Sequence, residues 1–195
     1  GPQISNSAIR KLGLENKRGS NHCFLNVVIQ ALWNLQAFRT RLLAEPHGHA
    51  NRSTCHMCCY CELKSLFQEY NVSDAATLPP DGLRRALSSV YNAQRFKVGE
   101  MEDASETLEA ILGILHACHV EDTSQASQPL NLRHVEKAST FGCHPLCFAH
   151  DVFGIEYVDV PHCKYCGATG EPSICSSYLY STYTNELMMV ASRGV

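Results

Sequence analysis

Cys23 stands in the stretch RGSNHCFLN, Arg18 to Asn26, between a Gly/Ser/Asn turn and an apolar run. The thiolate is the reactive form of cysteine, and a helix N-terminus favours negative charge through its unpaired backbone N–H groups and its dipole. Gly19, Ser20 and Asn21 can turn the chain tightly and aim backbone N–H groups at a developing oxyanion. A side-chain amide can add to such a hole. The competing reading of Cys23 is a small core side chain, since free cysteines are among the most buried residues.

The chain holds eleven cysteines and ten histidines. In HGHANRSTCHMCCYC the potential ligands His47, His49, Cys55, Cys58, Cys59 and Cys61 fall close together, and further on come Cys143, Cys147, His150, Cys163 and Cys166. Zinc takes four S or N ligands in tetrahedral geometry, and C-x-x-C supplies two from one turn. On spacing alone, Cys147 and His150 with Cys163 and Cys166 make a complete local site. His116, Cys118 and His119 look like a third ligand group, but His116 and His119 share one side of a helix end, where favourable placement on the dipole is the preferred explanation.

These residues need elements to position them. Leu25, Val28, Ile29, Leu32, Phe38 and Leu42 fall mostly at three- and four-residue intervals, which predicts one amphipathic helix from Cys23 to just before Pro46. Leu63, Leu66, Phe67 and Tyr70 predict a second. LPPDGLRRALSSVY predicts a short third, and DASETLEAILGILHAC a fourth. The polar stretch from Glu121 onward reads as a mobile loop, assigned here to 121–140. VFGIEYVDV and SSYLYSTYT read as strands, with HCKYCGATG between them as a metal knuckle at a hairpin tip. Helices first and strands after indicate an α+β fold. Trp33 and the phenylalanines are expected in the core.

Composition narrows the function. With 45% hydrophobic and 18% charged residues the chain is globular, and no apolar run approaches the roughly 20 residues of a membrane span. A net charge of −3 carries no basic footprint for nucleic acid. Cysteines grouped with histidines in C-x-x-C spacings point to reduced thiols, bound metal and an intracellular compartment, cytoplasmic or nuclear. Gly1-Pro2 reads as the remnant of tag removal, so residues 1–12 are taken as remnant and leader.

Three ordered motifs carry a resemblance. GLENKRGSNHCFLNVVIQALW resembles the cysteine box of the ubiquitin-specific proteases, the papain-like cysteine deubiquitinases: Gly13, Leu14, Asn16, Gly19, Asn21, Cys23, Phe24, Leu25, Asn26, Gln30 and Leu32 match in kind. Two additional residues between Asn16 and Cys23 resemble a divergent branch, and His22 replaces the usual Thr or Ser. MEDASETLEAIL resembles the family's Gln-Gln-Asp-Ala-x-Glu-Phe-Leu helix through Asp103, Ala104, Glu106 and Leu108. FGIEYVDVPHCKYCGATGEP resembles the strand and first zinc knuckle of its fingers.

The resemblance implies a papain-like fold with Cys23 as nucleophile at the isopeptide carbonyl after ubiquitin's C-terminal glycine. It gives Asn16 the oxyanion role, with Asn21 as a substitute, and makes zinc structural. It implies a helical thumb over 13–120 and a fingers segment over 141–195. For the first metal cluster the divergent branch implies His47, His49, Cys58 and Cys61, with Cys55 in reserve. For Cys163 and Cys166 the family implies a second pair downstream. No segment matches the family's histidine box, so the resemblance is to an N-terminal portion of the catalytic domain, whose uncovered face calls for self-association or a partner chain. Ubiquitin or polyubiquitin is the implied partner. The alternative is a zinc-stabilised module that binds ubiquitin or another protein without turnover.

Overall fold

A computed structural model describes residues 12–47, 57–120, 130–139, 143, 146–178 and 188. It opens with β1 (Gly13–Leu14), α1 (Cys23–Asn34) and α2 (Gln36–Ala44), followed by α3 (Cys59–Val72), β2 (Thr77–Leu78), α4 (Asp81–Val90) and α5 (Ala104–Val120). The remainder is α6 (Leu132–Ser139), α7 (Phe148–Phe153), β3 (Ile155–Asp159) and β4 (Ser173–Ser177). Helices precede the hairpin, as an α+β chain requires. His49 and Cys55 lie outside the described residues, as do 121–129.

Helix α5 is the axis of the core. From Ala110 to Cys118 it buries Ala110, Ile111, Leu112, Ile114, Leu115, His116, Ala117 and Cys118, because α1, α3, α6 and α7 all pack on it. Such all-round apolarity marks a central helix rather than a surface one. Asp103 starts it, its Oδ1 accepting the backbone N–H groups of Ser105 at 2.7 Å and Glu106 at 3.0 Å.

The long first helix expected from the apolar spacing is two helices. Leu35 takes extended backbone (φ −79°, ψ 98°) between α1 and α2. The break is stabilised by Arg39, whose Nη1 donates to the Trp33 carbonyl at 2.6 Å while its guanidinium lies 4.9 Å from the Trp33 ring centre. The bend turns Phe38 onto Phe67, Phe148 and Phe153, and Trp33 onto Phe67 and Tyr70.

Two further expectations are corrected. Within 121–140, residues Leu132–Ser139 form α6 instead of loop, with Asn131 Oδ1 accepting the Arg133 N–H and Ala138 fully buried. Val152 and Phe153 belong to α7 and not to the strand, which begins at Ile155 after Gly154. A Cβ at Gly154 would sit 2.4 Å from the His150 carbonyl oxygen, so only glycine ends α7 here. The later strand starts at Ser173, ahead of the expected SSYLYSTYT.

Strands β3 and β4 pair antiparallel with Tyr157 opposite Cys175, and β3 is exposed throughout. Near the start, β1 and β2 pair in parallel, Gly13 with Thr77 and Leu14 with Leu78. That short pairing fixes the segment leading to Cys23. No described helix is long and apolar enough to cross a membrane.

Candidate nucleophile and metal centres

Cys23 is the first residue of α1 and is exposed. The chain reaches it through Gly19 (φ +84°) and Asn21 (φ +51°), two left-handed residues that reverse the backbone within one turn. Asn26, one turn into α1, donates its amide to the Glu15 carbonyl at 3.1 Å and so ties the helix to the strand of the cysteine box. Phe24 and Leu25, buried on the inner face, hold Cys23 on the outer one.

The two asparagines differ. Asn16 Oδ1 accepts the His22 backbone N–H at 2.9 Å and the Ser20 hydroxyl at 3.3 Å. Both bonds fall on the Asn16 oxygen, and among the described residues its Nδ2 donates no hydrogen bond. Asn21 Nδ2 instead donates to the Gly99 carbonyl at 2.7 Å. His22 is 2% exposed, and neither of its ring nitrogens has a hydrogen-bond partner among the described residues. No hydrogen bond joins Cys23 to a histidine among the described residues.

The ligand groups assemble differently from their spacing. Cys147 and His150 do not close with Cys163 and Cys166. They meet Cys143 and, from α5, His116, with all four ligand atoms within 4.8 Å of one another. His150 Nδ1 lies 3.2 Å from Cys143 Sγ and 3.3 Å from Cys147 Sγ, and His116 Nδ1 is 3.6 Å from Cys147 Sγ. Tetrahedral zinc with ordinary bond lengths sets donor separations of about 3.4–3.8 Å, close to these. His116 Nε2 is bound to the Ala138 carbonyl at 3.0 Å, which orients the ring with Nδ1 toward the thiols. Burial pushes the Cys147 thiol up to about 11. A metal cation reverses that preference, because it binds the thiolate.

The second group is His47, Cys58 and Cys118, again within 4.8 Å. His47 Nε2 is 3.4 Å from Cys58 Sγ, and its ring stacks on Tyr60 at 4.1 Å. Hydrogen bonds from the Cys118 and Cys61 side chains pull the Cys58 thiol well below its ordinary range, so Cys61 borders the same point. The ligand from α5 is the correction here: His116 and Cys118 are not explained by the helix dipole, since both are buried and each faces a different cluster. Ten described cysteines are free thiols.

Cys163 and Cys166 sit exposed at the tip of the hairpin. Cys163 N–H donates to Ala168 at 2.8 Å, and Gly167, with φ +71°, donates to Cys163 at 2.9 Å. Backbone N–H groups of Cys166 and Tyr165 aimed at the Cys163 sulfur pull its thiol down. The turn brings the two thiols together.

The ubiquitin carboxyl-terminal hydrolase family model matches residues 12–189. The chain is 33% identical over 172 residues to ubiquitin carboxyl-terminal hydrolase 54 of Rattus norvegicus, covering 88% of this chain and 10% of that protein. It is 32% identical over 161 residues to hydrolase 53 of Homo sapiens, covering 82% and 13%. With human hydrolase 22 it shares 33% over 129 residues, 65% of this chain and 23% of that one. The chain thus spans about a tenth of the first relatives' length. Its backbone resembles a chain of the SAGA Ubp8/Sgf11/Sus1/Sgf73 DUB module (TM-score 0.55, 21% identity, 87% of this chain and 36% of that one). A yeast SAGA DUB module structure gives a TM-score of 0.58 at 21% identity, over 88% and 35%. From the cysteine box to the hairpin, this chain belongs to the ubiquitin carboxyl-terminal hydrolase family.

Proposed function

We propose that the chain carries the nucleophile of a cysteine deubiquitinase, with Cys23 attacking the isopeptide carbonyl at the C-terminus of ubiquitin or polyubiquitin. The observation that carries this reading is the exposed thiol on the first turn of α1, behind a left-handed turn, inside a family match over nearly the whole chain. As the bond forms between Sγ and the carbonyl carbon, the carbonyl oxygen takes up negative charge. Asn16 Nδ2 is the better side-chain donor to it, because Asn21 Nδ2 is already engaged with Gly99. Collapse expels the ε-amine of a lysine and leaves a thioester, which water hydrolyses. The thiol's proton must be taken up and delivered to the departing amine, and the hydrolytic water's proton taken up and returned to the thiolate. These transfers need an acid–base group, and Cys23 has none hydrogen-bonded to it among the described residues.

Zinc is the metal that fits the two buried groups, since both are S/N sets whose ligand atoms lie within 4.8 Å of one another. His116, Cys143, Cys147 and His150 would hold one ion, and His47, Cys58, Cys61 and Cys118 another. Bound there, zinc supplies structure rather than catalysis: the protein's own ligands fill all four positions. Held there, the two ions would fasten the C-terminal turn of α5, one to α7 and one to the start of α3. Cys163 and Cys166 offer half a site for a second ligand pair elsewhere. Ile155, Val158 and Ile174, exposed on the hairpin, support a covering partner, be it more of this protein, a second copy or another chain.

The test is intact-mass analysis after incubation with ubiquitin bearing a C-terminal electrophile, beside Cys23→Ala. An adduct that requires Cys23 is the expected result. Binding of unmodified ubiquitin without any adduct would replace this reading with a zinc-stabilised ubiquitin-binding module, the reading supported by the lack, among the described residues, of a base hydrogen-bonded to Cys23.

A further inference from the structure

Arg84, on the first turns of α4, is completely buried. A guanidinium has five N–H donors, and here every one meets a backbone carbonyl. Nε donates to Phe96 at 3.1 Å, Nη1 to Ser20 at 3.0 Å and Asn21 at 2.8 Å, and Nη2 to Lys97 and to Glu100 at 2.5 Å. The Phe24 ring covers it with its centre 5.0 Å from Cζ. Among the described residues no carboxylate forms an ion pair with it. Burial works against its charge, so the five carbonyls are what hold the cation in place.

Those carbonyls lie on two segments, one leading directly into the nucleophile and the other packed on the first. One is the turn that ends at His22. The other, 96–100, touches it: Asn21 Nδ2 donates to the Gly99 carbonyl, and a Cβ on Gly99 would stand in ordinary contact, 3.4 Å from the Gly19 oxygen. That second segment and the turn before it do not hold their shape by themselves: Asn92, Ala93 and Phe96 all have positive φ.

The decisive geometry is in one peptide unit. The Asn21 carbonyl accepts from Arg84, and the N–H of the same planar unit, that of His22, donates to Asn16 Oδ1. A peptide plane held at both ends cannot rotate. Arg84 thereby orients Asn16, and with it the amide on the Asn16 side chain. We propose that Arg84 is a positioning residue for the reaction at Cys23, a guanidinium clamp that fixes the Asn21–His22 peptide and through it the oxyanion donor Asn16. The inference rests on the proposed role of Cys23 and Asn16 and assigns a third residue to that site.

The test compares wild-type chain with Arg84→Lys and Arg84→Gln, each zinc-loaded and checked by thermal melting. Lysine keeps the charge but has three donors instead of a five-donor fork. Three readouts are taken: amide hydrogen exchange at residues 19–23, alkylation of Cys23 by iodoacetamide, and capture of ubiquitin C-terminal aldehyde against binding of unmodified ubiquitin. Both variants are expected to exchange the His22 amide at least about tenfold faster and to capture the aldehyde about tenfold less tightly. Iodoacetamide alkylation and plain ubiquitin binding stay within about twofold, since neither needs an oxyanion donor. A folded variant with wild-type aldehyde capture and a lower melting temperature would make Arg84 a fold residue only and overturn the proposal. If Arg84→Gln does not fold, Arg84→Lys decides. A His22 amide that already exchanges freely in the wild type overturns the clamp without any variant. Should wild-type chain not bind ubiquitin at all, the functional reading fails, and the exchange data alone judge the clamp.

Discussion

The backbone N–H of His22 donates to the side-chain oxygen of Asn16 at 2.9 Å, across the turn that delivers Cys23. One hydrogen bond thus sets which end of the Asn16 amide faces the chain.

Removing that amide is a direct test. Asn16→Ala is expected to weaken capture of ubiquitin aldehyde by about 100–1,000-fold, in the range typical of a lost oxyanion donor, while Cys23 still alkylates. Asn21→Gly, which suits φ +51° and removes only the strut to Gly99, is expected to cost less. Equal losses in the two variants would move the donor role away from Asn16.

Tyr70 links the core to pH. Its ring stacks on Trp33 at 4.7 Å, its hydroxyl is buried without a geometrically satisfactory partner, and burial pushes its pKa up to about 12 against an ordinary value of 10.0. The folded state therefore holds the proton longer than the unfolded one. This contribution to stability is complete below about pH 10 and is lost as pH rises toward about 12. Tyr70→Phe is expected to match or exceed wild-type stability at pH 7 by up to about 1 kcal/mol, and to lose less of it between pH 9 and 11. Melting temperatures across that range check both parts.

What could be read from the residues divides along the distance between partners. The cysteine box was legible because Gly19, Asn21, Cys23 and Asn26 act within one turn and one helix, where spacing is geometry. Leu35 was not, because the apolar spacing runs on through the break and the fixing contact comes from the Arg39 side chain. Helix α6 was masked by its polar face, and the buried contact of Ala138 depends on α5. The metal groups were half legible: Cys58 with Cys61 and Cys147 with His150 are local pairs. Their completing ligands, His116 and Cys118, lie far along the chain on α5. Only two residues apart, they point to opposite sides of one helix, and no pattern of adjacent ligands announces that.

Zinc content tests those completing ligands. Two zinc ions per chain are expected by elemental analysis. His116→Ala and Cys118→Ser should each remove one, whereas His119→Ala, next in line on the same helix end, should remove none. Losing either ion should cost at least about 3 kcal/mol, roughly 6–12 °C in melting temperature for a chain of this size. If His49 or Cys55 completes the second group instead of Cys118, the Cys118→Ser protein will keep both ions.

The hairpin tip gives the contrasting case. Cys163 and Cys166 are exposed and far from a full ligand set, while Cys147 and His150 are already committed to Cys143 and His116. A Cys163→Ser, Cys166→Ser double variant should therefore keep both zinc ions and melt within about 0.5 kcal/mol of wild type, as surface changes usually do. Because neighbouring N–H groups pull its thiol down, Cys163 should also be alkylated well before the buried Cys147, whose thiol is pushed the other way. Peptide mass spectrometry after a brief iodoacetamide pulse separates the two. If the double variant instead loses one ion, the tip must fold back onto Cys147 and His150 in solution, and the cluster around His116 would then be a ligand set in search of its metal.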